Sequence, residues 1–211
     1  MALTQYRIDR GGVDRLLFLL HGYSAEQHHL ASYVPLVDPD ERFTAIAPRA
    51  PIDLPDGDGA AWWITDPVTR QRDPQQFRAA VEMVEALIAE EADNAGVPLE
   101  RCAIGGFSQG GFLTLALAGK PGAPRYAGIW AICCGIPDIE GVEVDLSTGD
   151  GRPALYQWGT HDAIIGLDQP KATIETLNAG GWDVRDHEYD MAHSQTIEMM
   201  VDARDWLAKL L

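Results

Sequence analysis

A glycine-flanked serine stands between two apolar segments in residues 103–118, which read AIGGFSQGGFLTLALA. The segment before it has the character of a buried strand, and the longer one after it that of a buried helix. A serine on a sharp turn between a strand and a helix is typical of a nucleophile elbow. The hydroxyl of Ser108 would project from the end of the sheet, and small residues are needed two positions before and after it.

The pentapeptide Gly106-Phe107-Ser108-Gln109-Gly110 is rare for this composition. Random placement of 21 glycines and five serines in 211 residues would give such a pattern about 0.05 times. The alternative is a glycine-rich turn whose serine is inert. If Ser108 is a nucleophile, the backbone N–H of Gln109 points to where an oxyanion would form.

Composition predicts one globular domain over residues 1–211, with 46% hydrophobic and 23% charged residues. No apolar run approaches the ~20 residues of a membrane span, and the first residues lack the apolar segment of a secretory signal. Three cysteines in apolar runs indicate reduced, buried thiols, so we expect a cytoplasmic protein. Their spacing fits no metal site, and we expect neither a metal nor an organic cofactor.

The net charge of −16 restricts the partners of the chain. Nucleic acid and anionic lipid surfaces would be repelled rather than attracted. We therefore expect a small-molecule substrate, no nucleic-acid partner and no membrane span. The oligomeric state cannot be read from the composition.

Apolar strands and amphipathic helices alternate along the chain. The predicted strands are 3–8 at an edge, 15–20, 43–47, 102–105, 127–133, 153–158 and 184–189. The predicted helices begin at the Asp73-Pro74 cap, after Ser108, near 169 and near 195, and the first of them ends near Gly96-Val97-Pro98. This order indicates an α/β fold with a mostly parallel central sheet, helices on both faces, no separate cap domain and a site at the carboxyl ends of the strands.

Two loops at that edge could supply a base and an acid to Ser108. His193 lies between the last strand and the last helix, and Asp162 follows the strand 153–158. The chain order Ser108, Asp162, His193 is the one expected for α/β-hydrolases. Three other aspartates are alternative candidates for the acid: Asp138, Asp168 and Asp190.

The other histidines are weaker candidates for the base. His21 follows a buried strand directly, where a structural histidine that holds the loop is the more common case. His161 is interpreted as a neighbour of the acid. His28 and His29 lie in a helix-like stretch, and His187 lies within a strand. None of these positions is at the carboxyl edge of the sheet, where a base for Ser108 would have to lie.

Six motifs, spread from the second strand to the last helix, resemble the phospholipase/carboxylesterase family, which includes the acyl-protein thioesterases. They are Leu20-His21-Gly22, Ala47-Pro48-Arg49-Ala50-Pro51, Ala61-Trp62-Trp63, Gly106-Phe107-Ser108-Gln109-Gly110-Gly111, Gly159-Thr160-His161-Asp162 and Met191-Ala192-His193-Ser194. The resemblance implies an α/β-hydrolase with Ser108 as nucleophile, His193 as base and Asp162 as acid. It also implies an oxyanion hole made by the N–H groups of Tyr23 and Gln109.

Two loops depart from the family pattern. Ser24 stands where the family usually has a glycine, and Asp162 is followed by Ala163-Ile164-Ile165-Gly166 without the usual valine-proline step. Both changes touch pocket loops, so they affect substrate choice more than reaction type. Trp62 and Trp63 are candidate substrate-binding walls, with core packing as the alternative.

These residues predict a carboxylesterase acting on short- to medium-chain acyl esters. An acyl-protein thioesterase or a lysophospholipase is the alternative within the same chemistry. A catalytically inactive hydrolase fold that serves as a binding module is the alternative from a different class.

Overall fold

The computed structural model describes residues 3–69 and 71–210. The strands are β1 (Gln5–Ile8), β2 (Leu16–Leu20), β3 (Thr44–Pro48), β4 (Ile52–Asp53), β5 (Ala60–Ala61), β6 (Cys102–Phe107), β7 (Gly128–Ile132), β8 (Pro153–Gly159) and β9 (Asp183–Tyr189). The α-helices are α1 (His28–Ala31), α2 (Val34–Val37), α3 (Pro74–Ala95), α4 (Gln109–Gly119), α5 (Asp168–Ala179) and α6 (Ile197–Leu207). Two short 3₁₀ turns lie at Pro55–Gly57 and Leu99–Arg101.

Seven strands form the central sheet in the order β1-β3-β2-β6-β7-β8-β9. Strand β1 pairs antiparallel with β3 at one edge, and the other neighbours pair in parallel. The predicted α/β fold with a mostly parallel sheet is confirmed. Since parallel strands end at the same edge, the loops after β2, β6, β8 and β9 meet there.

Strand β2 shows why its apolar run is continuous. Leu16, Phe18 and Leu20 belong to the core on one face of the sheet, together with side chains of α3 and α4. Leu17 and Leu19 belong to the core on the other face, with side chains of α1, α2 and α6. A strand covered on both faces has no position left for a polar side chain.

Helix α3 begins and ends where the sequence predicts. The side chain of Asp73 accepts hydrogen bonds from the N–H groups of Gln75 and Gln76, both at 2.9 Å. Gly96 closes the helix in the left-handed conformation, at φ +64°. In the part of the chain that the structure describes, no helix combines the length and the apolar character that crossing a membrane requires.

Several elements differ from the sequence prediction. The strand predicted at 102–105 runs two residues further, to Phe107. The last helix begins only at Ile197, because Thr196 caps it by accepting the N–H of Met199 at 3.2 Å. The small hairpin β4–β5 was not predicted, since strands of two residues show no periodicity.

Candidate active site

Ser108 occupies a strained turn between β6 and α4. Its backbone lies at φ +53° and ψ −115°, a conformation that costs a non-glycine residue free energy. A Cβ atom at Gly106 would overlap the backbone of Gly110, and one at Gly110 would overlap the carbonyl of Leu20. Both flanking glycines are therefore required by close approach, as the pentapeptide predicts.

Ser108, His193 and Asp162 form one chain of hydrogen bonds. Oγ of Ser108 lies 2.9 Å from Nε2 of His193, and Nδ1 of His193 lies 2.7 Å from Oδ2 of Asp162. A carboxylate can only accept, so Nδ1 carries the proton and Nε2 is free to accept the proton of the serine hydroxyl. This is the arrangement that a serine nucleophile, its base and an orienting acid require.

The carboxylate of Asp162 is buried, and both of its oxygens accept hydrogen bonds. Its second oxygen, Oδ1, accepts the N–H groups of Ile164 at 2.9 Å and of Ile165 at 3.0 Å. The side chain is 2% exposed. Two amides and one imidazole N–H thus compensate the desolvation of the charge.

Asp162 is the carboxylate that meets His193, and the alternatives lie elsewhere. Asp190 binds Nε2 of the exposed His161 at 2.6 Å. Asp168 begins helix α5, and Asp138 is exposed in the loop after β7. The structure therefore brings together the three residues that the chain order suggests.

Two contacts of His193 carry no clear signal in the sequence. The ring of Phe107 packs against the imidazole at a centroid distance of 4.9 Å, although Phe107 is a variable position of the pentapeptide. Cys133 lies beside the pair: its Sγ, a ligand atom of His193 and a carboxylate oxygen of Asp162 fall within 4.8 Å of one another. The sequence predicts only that Cys133 is a buried thiol.

Cys133, Asp162 and His193 include residue types that bind metals, so that use has to be weighed. Burial raises the pKa of the Cys133 thiol to about 12, which keeps it protonated near neutral pH. The thiol lies 3.6 Å from the carbonyl oxygen of Ser194, to which it donates a weak hydrogen bond. The carboxylate and Nδ1 already bind each other, so the geometry favours a hydrogen-bonded relay over a metal centre.

His21 holds the loop after β2, and both of its ring nitrogens are engaged in hydrogen bonds to the backbone, so it cannot act as the base. Its Nε2 accepts the N–H of Ala50 at 2.9 Å, and its Nδ1 donates to the carbonyl of Gly22 at 2.7 Å. Burial lowers the pKa of the imidazole to about 4. The histidine is therefore neutral and structural, as its place directly after a buried strand predicts.

Among the described residues, no histidine other than His193 forms a hydrogen bond with the hydroxyl of Ser108. His28 packs edge-on against Tyr6 at a centroid distance of 4.5 Å. His187 lies on β9 with Nδ1 3.7 Å from a carboxylate oxygen of Asp202. His29 faces the ring of Phe107 at 6.3 Å, and burial lowers its pKa.

The N–H groups of Tyr23 and Gln109 are both without a hydrogen-bond acceptor within the described residues. Gln109 is the first residue of α4, where the amide has no partner inside the helix. Gly22 packs so closely on the elbow that a Cβ there would lie 3.3 Å from Cβ of Ser108. This approach brings the Tyr23 loop beside the serine, as a second oxyanion donor requires.

The side chain of Gln109 fixes the backbone of two tryptophans. Its Oε1 accepts the N–H of Trp62 at 2.9 Å, and its Nε2 donates to the carbonyl of Trp63 at 2.8 Å. The indole N–H of Trp62 in turn binds the carbonyl of His21 at 2.9 Å. Gln109 thus links the start of α4 to the loop after β5, and Trp62 links that loop to the loop after β2.

Trp62 and Trp63 do not form walls of an open pocket. Their exposed fractions are 0% and 1%, and Trp63 packs against Phe77 and Phe112 in the core. The interpretation as substrate-binding walls is therefore corrected in favour of core packing. A buried indole N–H usually has a hydrogen-bond acceptor, and that of Trp62 has one in the carbonyl oxygen of His21.

At both departures from the family pattern, a residue of the loop has a positive φ angle. Ser24 lies at φ +57°, a left-handed conformation in which glycine is strain-free. Gly166 lies at φ +74° and donates its N–H to the carbonyl of Asp162 at 3.0 Å. A proline at position 166 could neither adopt that φ nor donate that hydrogen bond. The loop after Asp162 therefore has a backbone conformation that excludes a proline at this position.

Comparison with known proteins places this geometry in a family. Residues 9–211 match the profile of Phospholipase/Carboxylesterase. An acyl-protein thioesterase 1 of Yarrowia lipolytica is 30% identical over 171 residues, which cover 76% of this chain and 74% of that protein. The acyl-protein thioesterase 1 of Debaryomyces hansenii is 29% identical over 144 residues, covering 67% of this chain and 62% of that protein.

Solved structures show the same fold at lower identity. The Bacillus cereus carboxylesterase superposes with a TM-score of 0.84 at 16% identity, covering 99% of this chain and 95% of that one. At that identity the likeness shows the fold alone. The matched profile, in contrast, covers nearly the whole chain, and the protein therefore belongs to the phospholipase/carboxylesterase family of ester hydrolases.

Proposed function

We propose that the protein is a serine carboxylesterase that cleaves short- to medium-chain acyl esters through an acyl-enzyme intermediate. The hydrogen-bond chain from Ser108 through His193 to Asp162 is the single observation that carries this proposal. Family membership supports ester hydrolysis, and the geometry supports the assignment of roles to these three side chains.

Acylation would begin with attack by Oγ of Ser108 on the ester carbonyl carbon. The hydroxyl proton passes to Nε2 of His193, and Asp162 stabilises the imidazolium that results. The tetrahedral intermediate then collapses, the bond to the leaving oxygen breaks, and His193 returns the proton to that oxygen. An acyl-Ser108 ester and a free alcohol are the products of this half-reaction.

Deacylation would repeat the same steps with water. His193 takes a proton from the water as it attacks the acyl carbonyl, and then gives the proton to Oγ of Ser108 as the acid departs. In both halves the N–H groups of Tyr23 and Gln109 would bind the oxyanion. Each such donor contributes on the order of 3 kcal/mol in the transition state.

An acyl-protein thioesterase or a lysophospholipase would use the same chemistry. The first is favoured by the names of the yeast relatives, which are acyl-protein thioesterases. The second is disfavoured by the net charge of −16, which repels anionic lipid surfaces. An inactive binding module is the alternative from another class, and the complete hydrogen-bond chain disfavours it.

Two spaces lie at this edge of the sheet. An open groove of about 700 Å³ runs from Tyr23 and Ser24 along the segment 54–59. A second cavity of about 300 Å³ lies between the loop after β7 and helix α5. The second volume is at the lower end of the range found for small-molecule pockets.

The test is a comparison of kcat/KM over acyl-chain length, run on 4-nitrophenyl esters and on matching thioesters. We expect the ester series to be faster, with a maximum between about four and eight acyl carbons, if the acyl group occupies the smaller space of about 300 Å³. A maximum at long-chain thioesters would replace the carboxylesterase assignment by that of a thioesterase. No hydrolysis in either series would favour the binding module.

Two further parts of the proposal concern the chain as a whole. We propose that residues 1–211 form one hydrolase domain without a separate cap, supported by the sheet order and the profile match from 9 to 211. We also propose a cytoplasmic location, supported by three buried free thiols, Cys102, Cys133 and Cys134. Limited proteolysis and fractionation of cells test these two parts.

A further inference from the structure

An arginine that forms no close ion pair with any described residue lines the cavity between the loop after β7 and helix α5, together with Asp138. This cavity has a volume of about 300 Å³ and is lined by Arg72, Ile136, Asp138, Gln169, Ala172 and Thr173. A neighbouring opening of about 440 Å³ shares Arg72 and Asp138 with it. Arg72 thus faces both spaces.

The guanidinium of Arg72 rests on an aromatic ring. Its Cζ lies 4.0 Å from the centroid of the Phe112 ring, a cation–π contact. Within the described residues it has neither an ion pair nor a hydrogen bond, and partial burial lowers the pKa of the group. With Cζ over the ring, the N–H groups of the guanidinium have no acceptor among the described residues and remain available to a planar acceptor.

This situation is unusual for the chain, in which acidic residues outnumber basic ones two to one. Apart from Arg185 on the edge strand β9, every other arginine of the described residues binds a carboxylate or a backbone carbonyl. The half-buried guanidinium has Asp138 as a longer-range counter-charge but no hydrogen-bond partner among the described residues. A ligand with the complementary charge would supply the missing partner.

The cavity lies close to the candidate nucleophile. Phe112 follows Ser108 by one turn of α4, and its N–H donates to the carbonyl of Ser108 at 3.0 Å. One helical turn rises about 5.4 Å, so the ring under Arg72 belongs to the same end of the helix as the serine. The opposite wall comes from the loop after β7, which starts at Cys133 beside Asp162 and His193.

The chemistry of the lining favours a carboxylate over a phosphate. Both would match the edge of a guanidinium. The exposed Asp138 lines the same cavity and repels a doubly charged phosphate more strongly than a singly charged carboxylate. The small volume also suits a short acid.

We propose that Arg72 binds a free carboxylate of the substrate, so that the preferred esters or thioesters carry a second, unesterified carboxyl group. The proposal rests on the proposed hydrolase function, since it names the substrate class of that site. It makes Arg72 a specificity-determining residue: the guanidinium forms a paired hydrogen bond with the carboxylate while the ester carbonyl reaches Ser108.

The experiment compares neutral and carboxylate-bearing esters in the wild type, Arg72→Met, Arg72→Lys and the control Arg125→Met. Methionine keeps an unbranched side chain over Phe112 but removes the charge, and Arg125 is an exposed arginine paired with Asp150 at 2.8 Å. The substrates are 4-nitrophenyl butyrate, mono-4-nitrophenyl glutarate, and the butyrate ester of 4-hydroxybenzoate, which carries the carboxylate on the leaving group. Melting temperatures check that each variant is folded.

We expect Arg72→Met to lower kcat/KM for at least one carboxylate ester, relative to the neutral ester, by about tenfold or more. Arg72→Lys should restore part of this ratio, and Arg125→Met should leave it at the wild-type value. A ratio that Arg72→Met does not change for either carboxylate ester overturns the proposal.

Calorimetric titration with glutarate separates this inference from the proposed function. If the wild type hydrolyses none of the three esters, the hydrolase assignment fails, while glutarate binding that is lost in Arg72→Met still supports a carboxylate site. If the esters are hydrolysed but glutarate binds the wild type and Arg72→Met alike, the carboxylate site is the part that fails.

Discussion

Asp162 holds His193 with one carboxylate oxygen, at 2.7 Å from Nδ1, while its other oxygen is fixed by two backbone amides. The carboxylate therefore sets both the tautomer and the orientation of the imidazole. Asp162→Asn should lower kcat on the order of 10³- to 10⁴-fold, because the amide stabilises the wrong tautomer. Steady-state kinetics with 4-nitrophenyl butyrate measures this loss.

Asp190→Asn is the matched control for that substitution. Asp190 binds the exposed His161 and is itself exposed, so kcat should stay close to the wild-type value. Asp138→Asn and Asp168→Asn should behave in the same way towards this neutral ester. If one of these variants lost activity while Asp162→Asn kept it, the assignment of the acid would be wrong.

Gln109 joins the start of α4 to the backbone of Trp62 and Trp63, and we expect its side chain to matter more for stability than for chemistry. Gln109→Ala leaves a buried N–H and a buried carbonyl without partners, and should lower the free energy of unfolding by about 3 kcal/mol. The backbone N–H of residue 109, the proposed oxyanion donor, remains in the alanine variant, so kcat should fall by less than about tenfold. Urea denaturation and kinetics give the two values.

The exposed Gln75 provides the control for the Gln109 substitution. It lies on the first turn of α3, where alanine is well tolerated, so Gln75→Ala should leave stability nearly unchanged. A thousandfold loss of kcat in a folded Gln109→Ala protein would contradict a purely structural role for the side chain.

His21 should make the fold sensitive to acid. Burial lowers its folded-state pKa to about 4, whereas the unfolded chain takes up the proton near the ordinary value of 6.5. Between these values the unfolded state binds more protons, so stability is lost as the pH falls. The full loss from this one group is about 3 kcal/mol.

The variant His21→Gln, which cannot titrate, tests the acid sensitivity by urea denaturation at a series of pH values. The difference in unfolding free energy between the wild type and His21→Gln should shrink as the pH is lowered from about 7 to about 4. The control Ser32→Ala changes no titratable group, so its curve should run parallel to that of the wild type. Parallel curves for the wild type and His21→Gln would argue against a low folded-state pKa.

Ser24 carries backbone strain at a position where the family usually has glycine. Ser24→Gly should raise the free energy of unfolding by up to about 1 kcal/mol, since relief of the left-handed strain exceeds the entropy that glycine gains in the unfolded chain. Ser32 lies at φ −62°, so Ser32→Gly should instead be destabilising. A clear loss of stability in Ser24→Gly would show that the serine side chain is needed in the loop.

The sequence predicts those parts of the fold that depend on local chemistry. The Asp73 cap, the Gly96 end of α3 and the pentapeptide around Ser108 each follow from the requirements of one turn. The continuous apolar strands predict the parallel sheet. The candidate site follows because parallel strands bring Asp162 and His193 to the same edge as Ser108.

Other features depend on tertiary contacts that no local pattern records. Trp62 and Trp63 could be assigned to a pocket or to the core with equal reason, because their burial depends on the partners Gln109 and His21. The packing of Phe107 on His193 joins residues far apart in the chain. The sequence does not indicate a role for Arg72, because the lack of a close ion pair and the contact with Phe112 depend on the folded structure.

The central claim is that Ser108 is the nucleophile, and labelling with a fluorophosphonate tests it most directly. The reagent forms a covalent bond with an activated serine, and digestion followed by mass spectrometry locates the modified residue. We predict a single label on Ser108, with label and hydrolysis of 4-nitrophenyl butyrate both lost in Ser108→Ala and both kept in the control Ser32→Ala. Full hydrolysis by Ser108→Ala, or a label on another residue that persists in that variant, would contradict the account.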